Sequence, residues 1–314
     1  MEMKLGSRGS PLALAQSRLV AAMLAEKSGR DIALFPIETF MTSGDRIQGR
    51  LQEAGGKGLF TKELDEALLD GRIDAAIHSM KDLPTRMPPG IVLAAVPARE
   101  DPRDGFIATR AKTLMDLPQG ATVGTASLRR QAQTLHLRPD LNVEMLRGRV
   151  ETRLAKIESG AFDATYLALA GLTRLGLENH AASIVDSEAM PPAPGQGALA
   201  ITVRAGDEKT LALVSPLNVA EHAITTTAER AFLQALDGSC RTPIAALAKI
   251  SHGALIFLGE VLTPDGKQCW RRRQTVTLGP APSETACLLG ARLGAQIMAE
   301  AGPLYKAHFG DHGW

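Results

Sequence analysis

The sequence has few of the residues on which metal and nucleic acid sites are commonly built. Only three of its 314 residues are cysteines, and aromatic residues make up 4%. Cys240, Cys269 and Cys287 lack the spacing of zinc ligands, so we expect free thiols and no metal site. Because arginine and aromatic residues are not interleaved, a site for single-stranded nucleic acid is not expected.

Long apolar segments and an excess of one charge are also missing. No apolar run approaches the roughly 18 residues of a membrane-spanning helix, and residues 1–6 contain no apolar core of a signal peptide. The formal net charge is +1, so no overall field attracts nucleic acid or a membrane surface. The sequence therefore predicts a cytoplasmic protein without nucleic acid, membrane or metal partners.

The length and the order of predicted elements indicate more than one domain. A chain of 314 residues with 45% hydrophobic residues exceeds one ordinary core. Strand-like runs alternate with helical segments in residues 1–98 and again in 99–197, which is typical of α/β domains. From residue 217 the pattern changes to a long helix, three strand-like runs and a final helix. We therefore predict two α/β domains and a smaller α+β domain, residues 217–314, with an antiparallel sheet.

Two groups of local signals lead to specific expectations. Ser10 before Pro11 predicts a helix N-cap, with the helix ending at Gly29. Residues 32–42 favour a strand, and the polar, glycine-rich residues 43–58 predict a mobile loop.

Further along the chain, residues 128–137 and 150–158 have the pattern of helices. The apolar run 164–170 predicts a strand that ends in a turn at 171–174. These segments place several basic residues at the ends of elements.

Basic and hydroxyl side chains recur in turns next to predicted strand ends. One isolated Lys–Asp or Ser–Arg turn is more often solvated surface, but its recurrence in both α/β blocks favours a binding site. Four of the five turns lie beside predicted helix N-termini, which bind anions, and arginine matches carboxylates bidentately. We expect a small molecule with several carboxylates or phosphates. The turns are Ser7–Ser10, Lys81–Asp82, Thr125–Arg130, Arg147–Arg149 with Arg153, and Thr173–Arg174.

Two residues, Asp82 and Cys240, are candidates for a direct role in a reaction. Asp82 follows the buried strand-like run 73–77 and is the one acid among the basic turns; it can stabilise positive charge in a substrate. Cys240 lies in a polar loop beside Arg241, where a thiolate is favoured. Cys269 and Cys287 lie within strand and helix patterns and are predicted to be unreactive packing residues. A structural role is predicted for His78.

Ten short motifs, in one order along nearly the whole chain, resemble the hydroxymethylbilane synthase (porphobilinogen deaminase) family. No single motif is decisive, but an accidental match of the set is implausible. The motifs are Gly6–Ala13, Gly55–Phe60, His78–Pro84, Glu100–Asp104, Ser127–Arg130, Leu146–Gly148, Thr152–Leu154, Ala170–Leu172, Gly195–Ala198 and Gly238–Cys240.

The resemblance implies a fold and a reaction. The first two domains would be similar to periplasmic binding proteins, with the active site in the cleft between them. Domain 1 would comprise 1–98 and 198–216, domain 2 99–197, and domain 3 217–314. A monomeric enzyme would condense four porphobilinogen molecules head to tail, with loss of ammonia, to 1-hydroxymethylbilane in haem biosynthesis. A dipyrromethane cofactor would be attached to Cys240 by a thioether.

The resemblance also implies roles for individual residues. Asp82 would be catalytic, stabilising cationic azafulvene intermediates as ammonia leaves. Residues 43–58 would form a mobile lid. Ala126, Arg149 and Glu151 differ from the family's commoner serine, asparagine and glycine. The cofactor would contact Lys81, Asp82, Thr125, Ser127, Arg129, Arg130 and Arg147, and the substrate Arg8, Ser10, Gln16, Phe60, Arg147, Arg153 and Arg174.

Two other functions compete with this interpretation. A two-domain anion-binding module without catalysis would explain the arginines, but it needs neither Asp82 nor a third domain with Cys240. A cysteine-nucleophile transferase would need a histidine to activate Cys240, and only His222 and His252 are nearby in sequence. Replacement of Asp82 separates these functions, since a pure binding protein should lose little.

Overall fold

The computed structural model describes residues 2–46, 58–236 and 242–309. Its contacts divide the chain into two units. The first consists of Met1–Glu100 and Gly197–Ala223, and the second of Asp101–Gln196 and Ile224–Trp314. Most of the predicted domains 2 and 3 lies in the second unit, whereas residues 99–100, 197 and 217–223 belong to the first. The division into three domains stays a prediction. None of the helices in the described ranges is long and apolar enough to cross a membrane.

The helices and strands alternate along most of the chain. In chain order they are β1 (Leu5–Arg8), α1 (Pro11–Ser28), β2 (Ile37–Phe40), α2 (Ser43–Arg46), α3 (Lys62–Leu69), β3 (Ala75–Ser79), β4 (Ile91–Ala95), β5 (Asp104–Ala108), β6 (Thr122–Gly124), α4 (Leu128–Leu137), β7 (Asn142–Glu144), α5 (Val150–Glu158), β8 (Ala164–Ala168), α6 (Leu169–Leu175), β9 (Ser183–Ile184), β10 (Leu199–Arg204), α7 (Glu208–Val214), α8 (Ala220–Ala235), β11 (Ile244–Ser251), β12 (Ala254–Leu262), β13 (Cys269–Thr277) and α9 (Pro282–Phe309).

A five-stranded mixed sheet forms the centre of the first unit, in the order β2-β1-β3-β10-β4. Strand β1 is parallel to β2 and β3, whereas β10 is antiparallel to both β3 and β4. One face buries Leu5 and Ile201 against Leu24 of α1, and the other face buries Ala76 against Leu68 of α3. Strand β10 thus belongs to this sheet although it follows the whole of the second sheet along the chain.

The second unit contains a sheet of the same design, in the order β7-β6-β8-β5-β9. Strand β6 is parallel to β7 and β8, and β5 is antiparallel to β8 and β9. Phe106 and Tyr166 pack together in its core with their ring centroids 5.7 Å apart. Both sheets therefore have the same spatial order and directions of strands, although the sequence contains no detectable internal repeat. The chain connectivity differs, because the antiparallel strand between two others comes last in the first sheet (β10) and first in the second (β5).

The C-terminal part of the second unit has an antiparallel sheet in the order β11-β12-β13. Helices α8 and α9 contribute Phe232, Leu289 and Ile297 to its core, where Phe232 meets Phe257 of β12. The predicted fold class, α/β followed by a smaller α+β part with an antiparallel sheet, is confirmed.

Several local predictions are confirmed in detail. Ser10 caps α1, since its Oγ accepts a hydrogen bond from the Ala13 N–H at 3.2 Å. Gly29 ends the helix in the left-handed region, with φ of 65°. Helices α4 and α5 have the predicted bounds.

Other local predictions are wrong. Residues 32–42 are not one strand, because Asp31 caps a 3-10 turn at Ile32–Leu34 and Pro36 lacks an N–H donor. The short helix α2 occupies the start of the predicted loop 43–58, of which residues 47–57 lie outside the described part of the chain.

The turn predicted at 171–174 is also wrong, since these residues belong to helix α6. The hydrophobic side chains Leu169 and Leu172 are buried in the core beneath the second sheet, which favours continuing the chain as a helix. Strand β5 and helix α7 were not predicted from the sequence.

The turn between β12 and β13 contacts helix α4. Gly266 in this turn has φ of 71°, and a Cβ there would lie 2.5 Å from the His136 backbone nitrogen and 2.6 Å from the Ala132 carbonyl oxygen. The Gly266 carbonyl oxygen lies 2.8 Å from Nδ1 of His136. This close approach requires glycine.

We expect Gly266→Ala to lower the free energy of unfolding by about 2 kcal/mol or more, because the left-handed backbone and the contact with α4 both disfavour a side chain. Chemical denaturation of the two proteins measures the difference. Gly279→Ala is the matched control, since a Cβ at Gly279 meets no atom within 4 Å and its backbone is not left-handed. Equal stability of the two variants would contradict the interpretation.

Candidate anion-binding site

In the first unit, the predicted basic turns come together at the carboxyl ends of parallel strands. Strands β1 and β3 are neighbours, with Gly6 opposite Ala76. Their ends therefore place Arg8 beside the 3-10 turn Met80–Asp82. A pocket at this edge is lined by Arg8, Ala13, Gln16, Phe60, Ile77, His78, Ser79 and Asp82.

Asp82 and Arg8 form the charged pair of this pocket. Nη1 of Arg8 lies 3.8 Å from Oδ2 of Asp82, whose side chain is 29% exposed. The Arg8 guanidinium also lies over the Phe60 ring, 4.3 Å from its centroid. Asp82 is therefore a carboxylate open to a ligand and close to a fixed cation.

A second carboxylate, which the sequence analysis missed, also binds Arg8. Asp45 in α2 accepts hydrogen bonds from Nε of Arg8 at 3.3 Å and from Nη2. Thr42 donates to the same carboxylate through its hydroxyl at 2.7 Å. Burial opposes ionisation of Asp45, but the Arg8 and Thr42 hydrogen bonds hold its pKa below the ordinary value. No sequence signal distinguished Asp45 within the predicted loop.

Polar groups at the base of the pocket are arranged by mutual hydrogen bonds. Gln16 is buried, and its Nε2 donates to the Ser79 hydroxyl at 3.0 Å. His78 lies 3.2 Å from the Thr202 hydroxyl, and burial together with the charge of Arg8 lowers the pKa of His78 to about 4. A neutral, hydrogen-bonded imidazole agrees with the structural role predicted for His78.

Two further predicted residues of the first unit lie at element ends. Lys81 is exposed in the 3-10 turn after β3. Ser10 uses an oxygen lone pair to cap α1, so its hydroxyl proton remains able to donate to an anion. Both positions fit contacts to a carboxylate.

In the second unit, the N-terminus of α4 is built from hydroxyl side chains. Ser127 is the N-cap, and its Oγ accepts from the Arg130 N–H at 3.4 Å. Thr125, which is buried, accepts from the Ser127 N–H at 3.1 Å. The first residues of α4 then place Arg129 and Arg130 next to the sheet.

Arg129 and Arg130 are buried around the carboxylate of Asp104 at the start of β5. Asp104 accepts from Nη2 of Arg129 at 2.8 Å and from Nη2 of Arg130 at 2.7 Å, and Gln196 donates to it at 2.8 Å. The Asp104 side chain is 1% exposed. Burial alone would raise the pKa of Asp104, but the two arginine charges hold it far below its ordinary value.

This cluster contains more positive than negative charge. Arg153 donates to the Gly148 carbonyl at 2.9 Å, and burial together with the charges of Arg130 and Arg147 lowers the pKa of Arg153 to about 10. Within the described ranges, Nη1 of Arg147 is buried and has no hydrogen-bond partner. A carboxylate ligand would neutralise this excess and satisfy the buried N–H groups.

The remaining predicted residues are Arg174 and the three cysteines. Arg174 lies in the last turn of α6 rather than in a turn after a strand. Cys240 lies outside the described residues. Burial and the nearby Glu260 raise the pKa of the Cys269 thiol to about 12, in agreement with an unreactive residue. Cys287 is exposed, so its predicted packing role is wrong.

Asp104 was missed as a site residue, although it ends the motif Glu100–Asp104. Its position directly after a domain boundary could have suggested a charge partner for the arginines. The structure thus assembles most predicted residues into two groups, one in each unit, and adds one carboxylate to each group. Each group can bind carboxylates, and the first also presents Asp82 to a positive charge.

Comparisons with known proteins give a consistent family assignment. Residues 3–212 match the family model described as porphobilinogen deaminase, dipyromethane cofactor binding domain, and residues 223–299 match the porphobilinogen deaminase C-terminal domain. A porphobilinogen deaminase of Caulobacter sp. (strain K31) is 53% identical over 96% of each chain. Another, of Phenylobacterium zucineum (strain HLK1), is 48% identical over 95% of this chain and 96% of that protein.

Two solved structures of binding proteins are similar to this chain at low TM-scores. The methionine binding protein MetQ has a TM-score of 0.43 at 14% identity, covering 69% of this chain and 89% of that chain. The aliphatic sulphonate binding protein SsuA from Escherichia coli has a TM-score of 0.41 at 15% identity, covering 75% and 70%. The fold is defined by the strand orders of the three sheets.

We expect Asp104→Asn to lower the free energy of unfolding at pH 7 by about 3 kcal/mol or more, because two buried arginines lose their counter-charge. The depressed pKa of Asp104 stabilises the fold above about pH 4, its unfolded value, and this stabilisation is lost as the pH falls below it. The difference between the two proteins should therefore be constant from about pH 5 to 8 and shrink in acid.

Asp101→Asn is the matched control for this measurement. Asp101, in the same segment as Asp104, pairs with Arg103, but both side chains of this pair are partly exposed, at 31% and 42%. We expect the change to cost less than about 1 kcal/mol. Urea denaturation across the pH range compares both variants with wild type, and equal losses would contradict the special role of Asp104.

Proposed function

Because the chain belongs to the porphobilinogen deaminase family, we propose that it is a hydroxymethylbilane synthase. This transferase condenses four porphobilinogen molecules head to tail, with loss of ammonia, to the linear tetrapyrrole 1-hydroxymethylbilane. The reaction belongs to tetrapyrrole biosynthesis, including that of haem. The proposal includes a monomeric enzyme in the cytoplasm and a thioether linkage at Cys240.

The observation that carries the proposal is the excess of positive charge around Arg130, Arg147 and Arg153. Each porphobilinogen unit brings an acetate and a propionate side chain, so a growing chain accumulates carboxylates. A cluster in which one arginine has its pKa lowered to about 10 by burial and by like charges is stabilised when anions bind. Among the described residues, Nη1 of Arg147 is buried without a hydrogen-bond partner, which supports the same conclusion.

Asp82 is the proposed catalytic residue. Loss of ammonia leaves positive charge on the substrate carbon and, by resonance, on the pyrrole nitrogen. A carboxylate held beside the substrate can accept a hydrogen bond from the pyrrole N–H and stabilise that charge. The Arg8 guanidinium lies 3.8 Å from the Asp82 carboxylate, which remains partly exposed and so can contact a substrate.

The residues present fit the dipyrromethane cofactor that the matched family model names. When bound, this group supplies the free pyrrole position to which the first substrate unit is joined. Nε of Arg129 and Nη1 of Arg147 are buried donors without partners in the described part of the chain, as expected of groups that bind carboxylates. Lys81, Asp82, Thr125, Ser127 and Arg130 are the other residues proposed to contact it.

The substrate and growing chain are assigned to a second group of residues. Ser10 and Gln16 offer hydrogen bonds near Asp82, and Phe60 offers a ring face beside Arg8. Arg153 and Arg174 add positive charge in the second unit. We propose that Arg8, Ser10, Gln16, Phe60, Arg147, Arg153 and Arg174 bind the substrate.

An intact mass of the purified wild type and of Cys240→Ser tests the enzyme class and the attachment site together. We expect the wild type alone to carry an excess equal to two deaminated porphobilinogen units. A wild-type protein that stays unmodified after incubation with porphobilinogen would overturn the covalent mechanism and favour an anion-binding module without catalysis.

We expect Asp82→Asn to lower turnover of porphobilinogen by about 100-fold or more, because the developing positive charge loses its carboxylate. The intact mass should still show the attached cofactor, since the change leaves the Cys240 thiol in place. Turnover assays and mass measurement on the same preparation make the comparison. A variant with near wild-type turnover would exclude Asp82 as the catalytic group.

A further inference from the structure

A buried chain of hydrogen bonds joins Arg129 to the C-terminal antiparallel sheet. Nη1 of Arg129 donates to Oε1 of Gln133 at 2.9 Å, and Nε2 of Gln133 donates to Oε1 of Glu260 at 2.7 Å. Gln133 and Glu260 are each 1% exposed, and Arg129 is 5% exposed. The chain leads from helix α4 to strand β12 without passing through solvent.

The Gln133 carboxamide is fixed at both of its ends. Its oxygen accepts from Arg129, while its nitrogen donates to Glu260 and, at 3.0 Å, to the Pro191 carbonyl. Nη1 of Arg129 donates to that same Pro191 carbonyl at 3.0 Å. Because the amide offers one acceptor and one donor group, this arrangement determines its orientation and restrains the guanidinium.

Glu260 is held in turn by Arg271, directly opposite it on strand β13. Nε of Arg271 donates to Oε2 of Glu260 at 2.8 Å, and Nη2 donates to the same oxygen. Arg271 also donates to the Glu188 carbonyl at 2.8 Å. The carboxylate is therefore anchored within the sheet and accepts from Gln133 with its other oxygen.

The same pair of strands contacts α4 a second time. The turn after β12 places the Gly266 carbonyl 2.8 Å from Nδ1 of His136, and the Pro264 carbonyl accepts from Gln131 at 3.4 Å. Two separate groups of contacts thus hold the helix that carries Arg129. A single contact would leave the helix free to rotate, whereas two contacts at different places along it restrain it.

These hydrogen bonds occupy two of the three nitrogen atoms of the Arg129 guanidinium. Nη2 is bound to Asp104 and Nη1 to Gln133 and Pro191, whereas Nε has no partner among the described residues. A buried N–H without an acceptor costs about 1–3 kcal/mol. Such a donor is tolerated where a ligand satisfies it, and it can act only if the guanidinium is held in place.

We propose that Gln133 and Glu260 are positioning residues that orient Arg129 toward a carboxylate of the dipyrromethane cofactor. The antiparallel sheet therefore contributes to cofactor binding through helix α4. This inference rests on the proposed function. Neither residue is placed in contact with substrate or cofactor, and both act through Arg129.

An exchange of the two side chains tests the proposal. Gln133→Glu places a carboxylate against that of Glu260, and Glu260→Gln removes the anchored charge. In the double variant, the amide introduced at position 260 can donate to the carboxylate introduced at position 133, which in turn accepts from Arg129. The double variant again has one carboxylate and one amide, so the total charge is unchanged.

The main measurement is the rate at which apoprotein, produced in cells that cannot make porphobilinogen, gains the cofactor mass when porphobilinogen is added. We expect each single variant to load about tenfold more slowly than wild type, by analogy with the loss of groups that orient metal-binding side chains. The double variant should load clearly faster than either single variant, because the exchanged pair restores the hydrogen bonds between positions 133 and 260. Thermal midpoints of the same proteins measure stability separately.

Single variants that load at the wild-type rate, whatever their thermal midpoint, would overturn the proposal and leave a structural contact only. So would a double variant that loads no faster than the singles. If Gln133→Glu does not fold, Gln133→Met keeps the side-chain volume without adding charge, and the same slower loading is expected. A wild type that never gains the mass would instead contradict the proposed function.

Arg273→Ala is the matched control. Arg273 lies on the same strand as Arg271, but its side chain is 58% exposed and pairs with the exposed Glu188 at 2.8 Å. This pair uses the Glu188 side chain, whereas Arg271 uses the Glu188 backbone carbonyl, which the change leaves in place. Loading should therefore be unchanged. Slower loading in this variant would show that any disturbance of β13 has the same effect, which contradicts a specific path through Gln133.

Discussion

The buried ion pairs of Asp104 with Arg129 and Arg130 are the interaction on which the second unit depends. Two guanidinium groups at the start of α4 could not be buried without a counter-charge, and β5 supplies it at its first residue. Gln196 donates to the same carboxylate from the segment that ends the unit's first stretch of chain. The Asp104 side chain therefore links strand β5, helix α4 and the segment around Gln196. Its single negative charge does not balance the two arginines, so the cluster keeps an excess of positive charge.

The two groups of site residues differ in the balance of positive and negative charge. In the first unit Arg8 is shared between Asp45 and Asp82, so its charge is largely balanced by the protein and Asp82 remains partly exposed. In the second unit the charge is not balanced, since Arg147 and Arg153 add to the arginines around Asp104. The first arrangement suits stabilisation of a cation, and the second suits binding of anions.

Sequence reasoning recovered what depends on local signals. The cap at Ser10, the helix that carries Arg129 and the strand before Asp82 follow from short-range patterns. It missed what depends on contacts between distant segments. Asp104 is recognisable as a counter-charge only when β5 lies beside α4, and the role of Glu260 depends on a partner, Gln133, that is 127 residues away along the chain. Cys240, central to the prediction, lies outside the described residues.

The repeated strand order has a consequence for the order of folding. In the first sheet the antiparallel strand β10 lies between β3 and β4, although it is made after all of the second sheet. Strands β5 to β9 follow one another along the chain without interruption. All strands of the second sheet are therefore synthesised before β10, the common neighbour of β3 and β4 in the first sheet. During synthesis from the N-terminus, the part of the chain that emerges first is therefore completed later, and its sheet edges stay unpaired until residues 199–204 arrive.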